Sequence, residues 1–124
     1  MTGPLILIVE DNDKNLKLAR DLLQHHGFRT LEADTAAAGI ALAEQHVPDL
    51  ILMDIQLPDV DGVTALGRLR ESAATTSIPV VAFTAFAMAG DRDRLLARGF
   101  DGYLTKPIDI HDFSDRVRQY CEPT

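Results

Sequence analysis

Residues 50–54 read Leu50-Ile51-Leu52-Met53-Asp54, a continuous apolar run that ends in a single carboxylate. A run that is apolar at every position is typical of a strand covered on both faces, as in parallel sheets with helices on either side. The sequence has two more runs of this kind, at residues 5–9 and at residues 80–83. We interpret these three runs as the central strands of one sheet.

Two weaker strand candidates lie at residues 29–33, where polar and apolar residues mix, and at residues 102–105, which include a glycine. Strands of this kind belong at the edges of a sheet. Five helix candidates alternate with the five strands. They are predicted at about residues 12–26, 35–46, 63–72 and 87–99, with a fifth after Asp109, a residue type that favours the N-cap.

The predicted core faces of two helices can be read from their sequences. In the alanine-rich second helix we expect Ala38, Ala41 and Leu42 to face inward. In the fifth helix, Phe113, Val117 and Tyr120 lie on one face. Asp59 and Asp61, which precede the third helix beside Gly62, are interpreted as loop residues.

Regular alternation of strand and helix predicts a parallel sheet with right-handed crossovers. With three central strands and two edge strands, the expected fold class is α/β, a doubly wound (βα)5 flavodoxin-like sheet in the order 2-1-3-4-5 with helices on both faces. The 124 residues suit one domain, with its core at about residues 4–121. We expect no output domain.

Composition excludes several classes of protein. The formal net charge is −7, which argues against binding to nucleic acid or to an anionic membrane surface. No apolar run is long enough to span a bilayer, and the N-terminus does not resemble a signal peptide. Cys121 is the only cysteine, so an internal disulfide is excluded. We expect a cytoplasmic protein.

Polar side chains follow four of the predicted strands. The first strand is followed by Glu10 and Asp11, the third by Asp54, the fourth by Thr84 and the fifth by Lys106. Ligands of such sheets bind beyond the C-terminal ends of the strands, where strands 1 and 3 are neighbours. Three carboxylates therefore converge there, with a hydroxyl and an ammonium group opposite them.

Carboxylates held this close repel each other, and a cation is needed to keep them ionised. Oxygen ligands with open positions favour Mg²⁺, which also accepts a phosphate oxygen. Asp54 lies centrally and is the candidate nucleophile. Lys106 would spread the charge of a transferred phosphoryl group, and the Thr84 hydroxyl could donate a hydrogen bond to it.

These residues, in this order and spacing, resemble the receiver domains of two-component response regulators. The motifs that carry the resemblance cover nearly the whole chain: Glu10-Asp11, residues 50–58 with Asp61-Gly62, Thr84-Ala85 and Lys106-Pro107. Three segments are most similar to stand-alone regulators of the bacterial cell-cycle type, namely residues 9–12, 84–88 and 106–108.

The resemblance implies a phosphorylation-dependent signalling switch. Asp54 would accept a phosphoryl group from a phosphohistidine of a sensor histidine kinase or a histidine phosphotransfer protein. Asp11, Asp54 and the backbone carbonyl of Gln56 would bind Mg²⁺, with Glu10 acting through a bound water. The chain would not be an enzyme in the usual sense, because it would catalyse only its own phosphoryl transfer and slow autodephosphorylation.

The resemblance also implies how the signal would be sensed. Thr84 and Lys106 would contact the phosphoryl group, Tyr103 would be the aromatic switch, and Pro107 would follow a cis peptide bond. Signals would leave through the surface of helix 4, strand 5 and helix 5 to a protein partner, from a monomer or weak dimer. Kinases would dock near Asn15, Leu16 and Leu18 of helix 1 and at the turn of residues 107–108.

Three residues would set access to Asp54 and the lifetime of its phosphoryl group. Ala85 is small and leaves the site open. Gln56 and Phe86 stand at positions that tune hydrolysis in this family, and an apolar Phe86 offers nothing to orient a water. We therefore expect a long-lived phosphoryl group.

Three other functions are compatible with parts of this pattern. A phosphatase of the haloacid-dehalogenase type uses an aspartate nucleophile but needs an acid two residues later, where this chain has Gln56. A flavodoxin-like carrier would place small hydroxylic residues after strand 1, where Glu10 and Asp11 would repel a phosphate. A receiver-like adaptor that is never phosphorylated would keep the same fold.

Overall fold

The computed structural model describes residues 3–85 and 90–121, in which strands and helices alternate along the chain. The strands are β1 (Leu5–Val9), β2 (Arg29–Ala33), β3 (Leu50–Asp54), β4 (Val80–Thr84) and β5 (Gly102–Thr105). The helices are α1 (Asp13–His25), α2 (Ala36–His46), α3 (Gly62–Glu71), α4 (Asp91–Ala97) and α5 (Phe113–Cys121).

The five strands form one parallel sheet in the order β2-β1-β3-β4-β5, which confirms the predicted fold class. The three apolar runs lie in the centre and the mixed segments form the two edges, as predicted. The register places Val9 beside Met53 and Asp54 beside Phe83. The ends of β1 and β3 therefore lie side by side.

Two hydrophobic clusters cover the two faces of the sheet. Along β1, Leu7 and Val9 point to the cluster under α2 and α3, while Ile6 and Ile8 point to the cluster under α1 and α5. This alternation follows from the two-residue period of a strand. It explains why the central strands are apolar on both faces up to their C-terminal ends: each of their faces is covered by helices.

The first three helices begin where local sequence predicts them. Asn12, Thr35 and Asp61 are the N-caps, and their side-chain oxygens accept hydrogen bonds from backbone N–H groups three residues later, at 3.1, 3.1 and 2.7 Å. Such caps satisfy N–H groups that have no partner inside the helix. The predicted boundaries of these helices are correct to within one residue at each end.

The predicted inward face of α2 is wrong in part. Ala38 and Ala41 are exposed, whereas Ala36, Gly39 and Ala43 are buried. The helix approaches β1 closely at Gly39, where a Cβ would come 2.7 Å from a methyl carbon of Val9. An alanine-rich helix has little contrast between its faces, so this close approach decides which face is buried. Leu42, which is partly buried, packs against the cluster as expected.

The described bounds of the last two helices differ from the predicted ones. Asp109 is not the N-cap of α5, because residues 110–112 form a turn in which the Asp109 carboxylate accepts a hydrogen bond from His111 N at 2.9 Å. The helix begins at Phe113, the first residue after this turn that is buried; Val117 is also buried and Tyr120 packs against the same cluster. The described part of α4 ends at Ala97 rather than Gly99, and its predicted start near Ala87 lies outside the described residues.

None of the helices in residues 3–85 and 90–121 combines the length and the apolar character needed to cross a bilayer.

Candidate functional site

Three carboxylates gather where β1 and β3 end. Glu10 and Asp11 follow β1, and Asp54 is the last residue of β3. Glu10 is fully buried, Asp54 is 5% exposed and Asp11 lies at the surface. Oxygen atoms from all three side chains lie within 4.8 Å of one another. The sheet order therefore brings together the three acids in which the sequence predicts a cation site.

Lys106 reaches this group from the end of β5. Its ammonium Nζ lies 3.2 Å from Asp54 Oδ2 and forms an ion pair with Glu10 Oε1. The Lys106 backbone N–H donates to the carbonyl of Thr84 at 2.8 Å, which extends the pairing of β4 and β5 to the base of this side chain. The Nζ atom also lies 5.0 Å from the centre of the Phe83 ring. The Lys106–Pro107 peptide bond is cis.

The electrostatics of the group are dominated by Glu10. Burial penalises its charged form, and the neighbouring Asp54 adds to this effect, so that the pKa of Glu10 is raised from 4.5 to about 7. Lys106 acts in the opposite direction but does not outweigh these two causes. Among the described residues, three carboxylates face a single ammonium group, and the site has an excess of negative charge.

The donor atoms suit a hard divalent cation. Carboxylate oxygens, with carbonyl oxygens and water, are the ligands that Mg²⁺ prefers. Within the described residues, the buried Glu10 Oε1 accepts no well-oriented hydrogen bond, although Lys106 lies beside it. A site with surplus carboxylate oxygens and too few donors fits a metal ion better than it fits an anion.

An open cleft of about 460 Å³ lies over Asp54. The Asp54 Oδ1 atom accepts a hydrogen bond from Gln56 N at 3.0 Å, which orients the carboxylate from the side opposite Lys106. The cleft is lined by Glu10, Asp11, Asn12, Asn15, Asp54, Gln56, Ala85 and Lys106. Six of these eight residues are among the site residues predicted from the sequence.

The other predicted site residues lie elsewhere. Thr84 ends β4 and is 2% exposed, and it does not line the cleft formed by the described residues. Tyr103 is half-buried in β5 and packs against the cluster under α2 and α3. Phe86 lies outside the described residues.

Sequence reasoning missed the contacts of Asp59 and Asp61. Asp61 is the N-cap of α3, a role that its position three residues before Thr64 could have indicated. Asp59 accepts hydrogen bonds from the backbone N–H groups of Ala36 and Ala37, at 2.9 and 3.0 Å. These bonds to backbone N–H groups lower the pKa of both carboxyls. No local pattern indicates the Asp59 contact, because its partners are 22 and 23 residues away.

Known proteins resemble this chain in sequence and in fold. A model of the response regulator receiver domain matches residues 6–118. The chain is 43% identical over 115 residues to the polar-differentiation response regulator DivK of Brucella ovis, which covers 93% of this chain and 94% of the relative.

Two solved structures are similar over nearly the whole chain. The receiver domain of a sensor histidine kinase from Pseudomonas aeruginosa, solved with a magnesium ion in its active-site cleft, is 32% identical, with a TM-score of 0.87 and coverage of 97% of this chain and 98% of that chain. A chemotaxis response regulator of Vibrio cholerae, 19% identical, has a TM-score of 0.88 over 96% and 99% of the two chains, which is a likeness of fold.

Proposed function

Since the chain belongs to the response regulator receiver domain family, we propose that it is a phosphorylation-dependent switch of a two-component system or phosphorelay, with Asp54 as the phosphoryl acceptor. The observation that carries this proposal is the set of contacts of Asp54. Its carboxylate lies at the floor of an open cleft, 3.2 Å from Lys106 Nζ and beside two further carboxylates.

The phosphoryl donor is a phosphohistidine of a sensor histidine kinase or a histidine phosphotransfer protein. An Asp54 oxygen attacks phosphorus, the bond between phosphorus and the imidazole nitrogen breaks, and the electron pair of that bond stays on the nitrogen. Gln56 N holds Oδ1 at 3.0 Å and Lys106 lies nearest Oδ2, so both oxygens are oriented before the donor arrives. The chain turns over no substrate beyond its own phosphoryl group.

The metal ligands in this proposal are Asp11, Asp54 and the carbonyl of Gln56, with Glu10 acting through a bound water. When bound, Mg²⁺ would neutralise charge on the acids and on the transferred phosphoryl oxygens. Lys106 complements it, because its ammonium group stabilises negative charge that develops near Asp54. Glu10 holds Lys106 at the cleft through their ion pair.

Sensing of the phosphoryl group is assigned to Thr84 and Tyr103. Thr84 is buried at the end of β4, the strand next to Asp54, and its hydroxyl would move toward a phosphoryl group on Asp54. Tyr103 lies in β5, the strand next to β4, and is only partly buried; its ring would move inward when Thr84 moves. The output surface is that of α4, β5 and α5.

Two apolar side chains support docking of the kinase near the cleft. Leu18 of α1 is 38% exposed and Ile110 after β5 is 55% exposed, although most residues of their type are buried. Asn15 lines the cleft one turn before Leu18. We propose this side of α1, with the turn of residues 107–108, as the binding surface for the phosphoryl donor in the cytoplasm, and a monomer or weak dimer as the working form.

The test is phosphorylation by a small phosphodonor with Mg²⁺, read by intact-protein mass. The expected result is one phosphoryl group on the wild type, none on Asp54→Ala and none on the wild type in excess chelator. An unlabelled wild type, or undiminished labelling of Asp54→Ala, would defeat the proposal and favour the adaptor that is never phosphorylated. The decay of the labelled protein measures the expected long lifetime, and a half-life of seconds would contradict it.

A further inference from the structure

The loop between β3 and α3, residues 55–61, carries the Gln56 carbonyl at the rim of the cleft. A hydrogen bond of 2.8 Å from Gly62 N to the carbonyl of Ile55 joins the two ends of the loop. Asp61 caps α3 at the far end of the loop. Leu57 and Val60 pack against the cluster under α2 and α3. These contacts hold the ends and the inner side of the loop.

The outer side of the loop is held by Asp59, whose side chain crosses to α2. Its Oδ1 accepts from Ala36 N at 2.9 Å and its Oδ2 accepts from Ala37 N at 3.0 Å. Thr35 accepts from Ala38 N, so the first three backbone N–H groups of this 11-residue helix are all bonded to side chains. A carboxylate at a helix N-terminus is also favoured by the helix dipole.

This attachment bears directly on the metal site. Only Leu57 and Pro58 separate Gln56 from Asp59, and the ring of Pro58 fixes its own φ angle. A segment this short, fastened at Asp59, has few ways to move the Gln56 carbonyl. A carbonyl already in place costs less conformational entropy when a cation binds than one that must first be ordered.

We propose that Asp59 is a positioning residue for the acidic cleft: by fastening the 55–61 loop to the N-terminus of α2, it holds the Gln56 carbonyl ready for the metal ion. The inference rests on the proposed function, because it takes Gln56 as a ligand. It adds that the start of α2, a helix that contributes no side chain to the cleft, supports cation binding through this carboxylate.

The experiment measures Mg²⁺ affinity calorimetrically in the unphosphorylated protein, for wild type, Asp59→Ala and two matched controls. Asp61→Asn removes one negative charge from the same loop but keeps a good N-cap. Thr35→Ala removes a cap from the same end of α2 but leaves the loop alone. We expect Asp59→Ala to bind Mg²⁺ about 3- to 10-fold more weakly than wild type, and both controls to stay within about twofold.

A second measurement tests the coupling between the metal site and α2 at the N-terminus of that helix. If the loop joins the two sites, Mg²⁺ should slow hydrogen exchange at the amides of Ala36 and Ala37 in the wild type. This slowing should persist in Asp61→Asn and in Thr35→Ala and should vanish in Asp59→Ala. Asp59→Asn keeps one acceptor oxygen, so its Mg²⁺ affinity should lie between those of the wild type and Asp59→Ala. It replaces Asp59→Ala in both measurements if that variant does not fold.

Three results would overturn the inference while leaving the proposed function intact. Equal losses of Mg²⁺ affinity in Asp59→Ala and Asp61→Asn would show that the effect comes only from the lost negative charge. Equal losses of Mg²⁺ affinity in Asp59→Ala and Thr35→Ala would show that the effect comes only from a less stable α2. Wild-type affinity in both Asp59 variants would show that the loop needs no such support. A wild type that binds no Mg²⁺ at all would instead overturn the metal site itself, and this inference with it.

Discussion

Gly62, the first residue of α3, is the position where a single methyl group should disturb the site most directly. A Cβ at this residue would lie 2.6 Å from the backbone carbonyl oxygen of Asp54 and 2.9 Å from the Cα of Ile55. Ordinary contacts of a Cβ begin at 3.4 Å, so strand end and helix must separate by about 0.8 Å. Both obstructing atoms belong to the backbone and cannot rotate away.

The size of the effect can be set against a matched substitution in the same helix. Overpacking of this kind costs about 1–3 kcal/mol, while replacing a helical glycine by alanine stabilises by about 0.5–1 kcal/mol. We therefore expect Gly62→Ala to lower the free energy of unfolding by about 1–2 kcal/mol. Gly67 is exposed in α3 with no atom within 4 Å of the added Cβ, so Gly67→Ala should raise it by about 0.5–1 kcal/mol.

The assay is urea unfolding of the two variants in a chelator, followed by Mg²⁺-dependent phosphorylation of the folded proteins. Because the displaced atoms belong to Asp54 and its neighbour, Gly62→Ala should also slow labelling of Asp54, whereas Gly67→Ala should label at the wild-type rate. The reasoning is refuted if Gly62→Ala is as stable as Gly67→Ala, or if its loss of stability leaves the labelling rate unchanged.

Three further predictions concern stability alone. Gly102→Ala would bring a Cβ within 2.3 Å of the Tyr120 ring and should destabilise by about 2 kcal/mol in urea unfolding; the loss should shrink when Tyr120→Leu is added, and additive losses would contradict this. Val47 is 54% exposed with a φ of 45°, a backbone conformation that asparagine adopts more readily than valine, so Val47→Asn should stabilise the protein by about 0.5–1 kcal/mol. A midpoint in urea that stays unchanged or falls would contradict this. Because burial raises the pKa of Glu10 to about 7, the folded state retains this proton at pH values where the unfolded chain has lost it. Without metal, the free energy of unfolding should therefore fall by on the order of 2–3 kcal/mol as pH rises from about 4.5 to 7. Thermal unfolding over this pH range measures the fall, which should be absent in Glu10→Gln.

Some features of the site follow from local sequence and others do not. Apolar runs predict the strands, and the acids that follow β1 and β3 predict a shared carboxylate site once the strand order is accepted. The full burial of Glu10 and its ion pair with Lys106 could not be read in this way, because they depend on how deeply the ends of β1 and β5 lie beneath the loops.

The sequence by itself determined the elements, their order along the chain and the residues that end each central strand, because these depend on periodicity and on caps within a few residues. Only the tertiary structure decided which face of α2 is buried and that Asp59 joins the 55–61 loop to that helix. The physical reason is the range of the interactions. The close approach of Gly39 to Val9 and the bonds of Asp59 to Ala36 and Ala37 join residues more than twenty positions apart, and such contacts form only when the helices pack against the sheet.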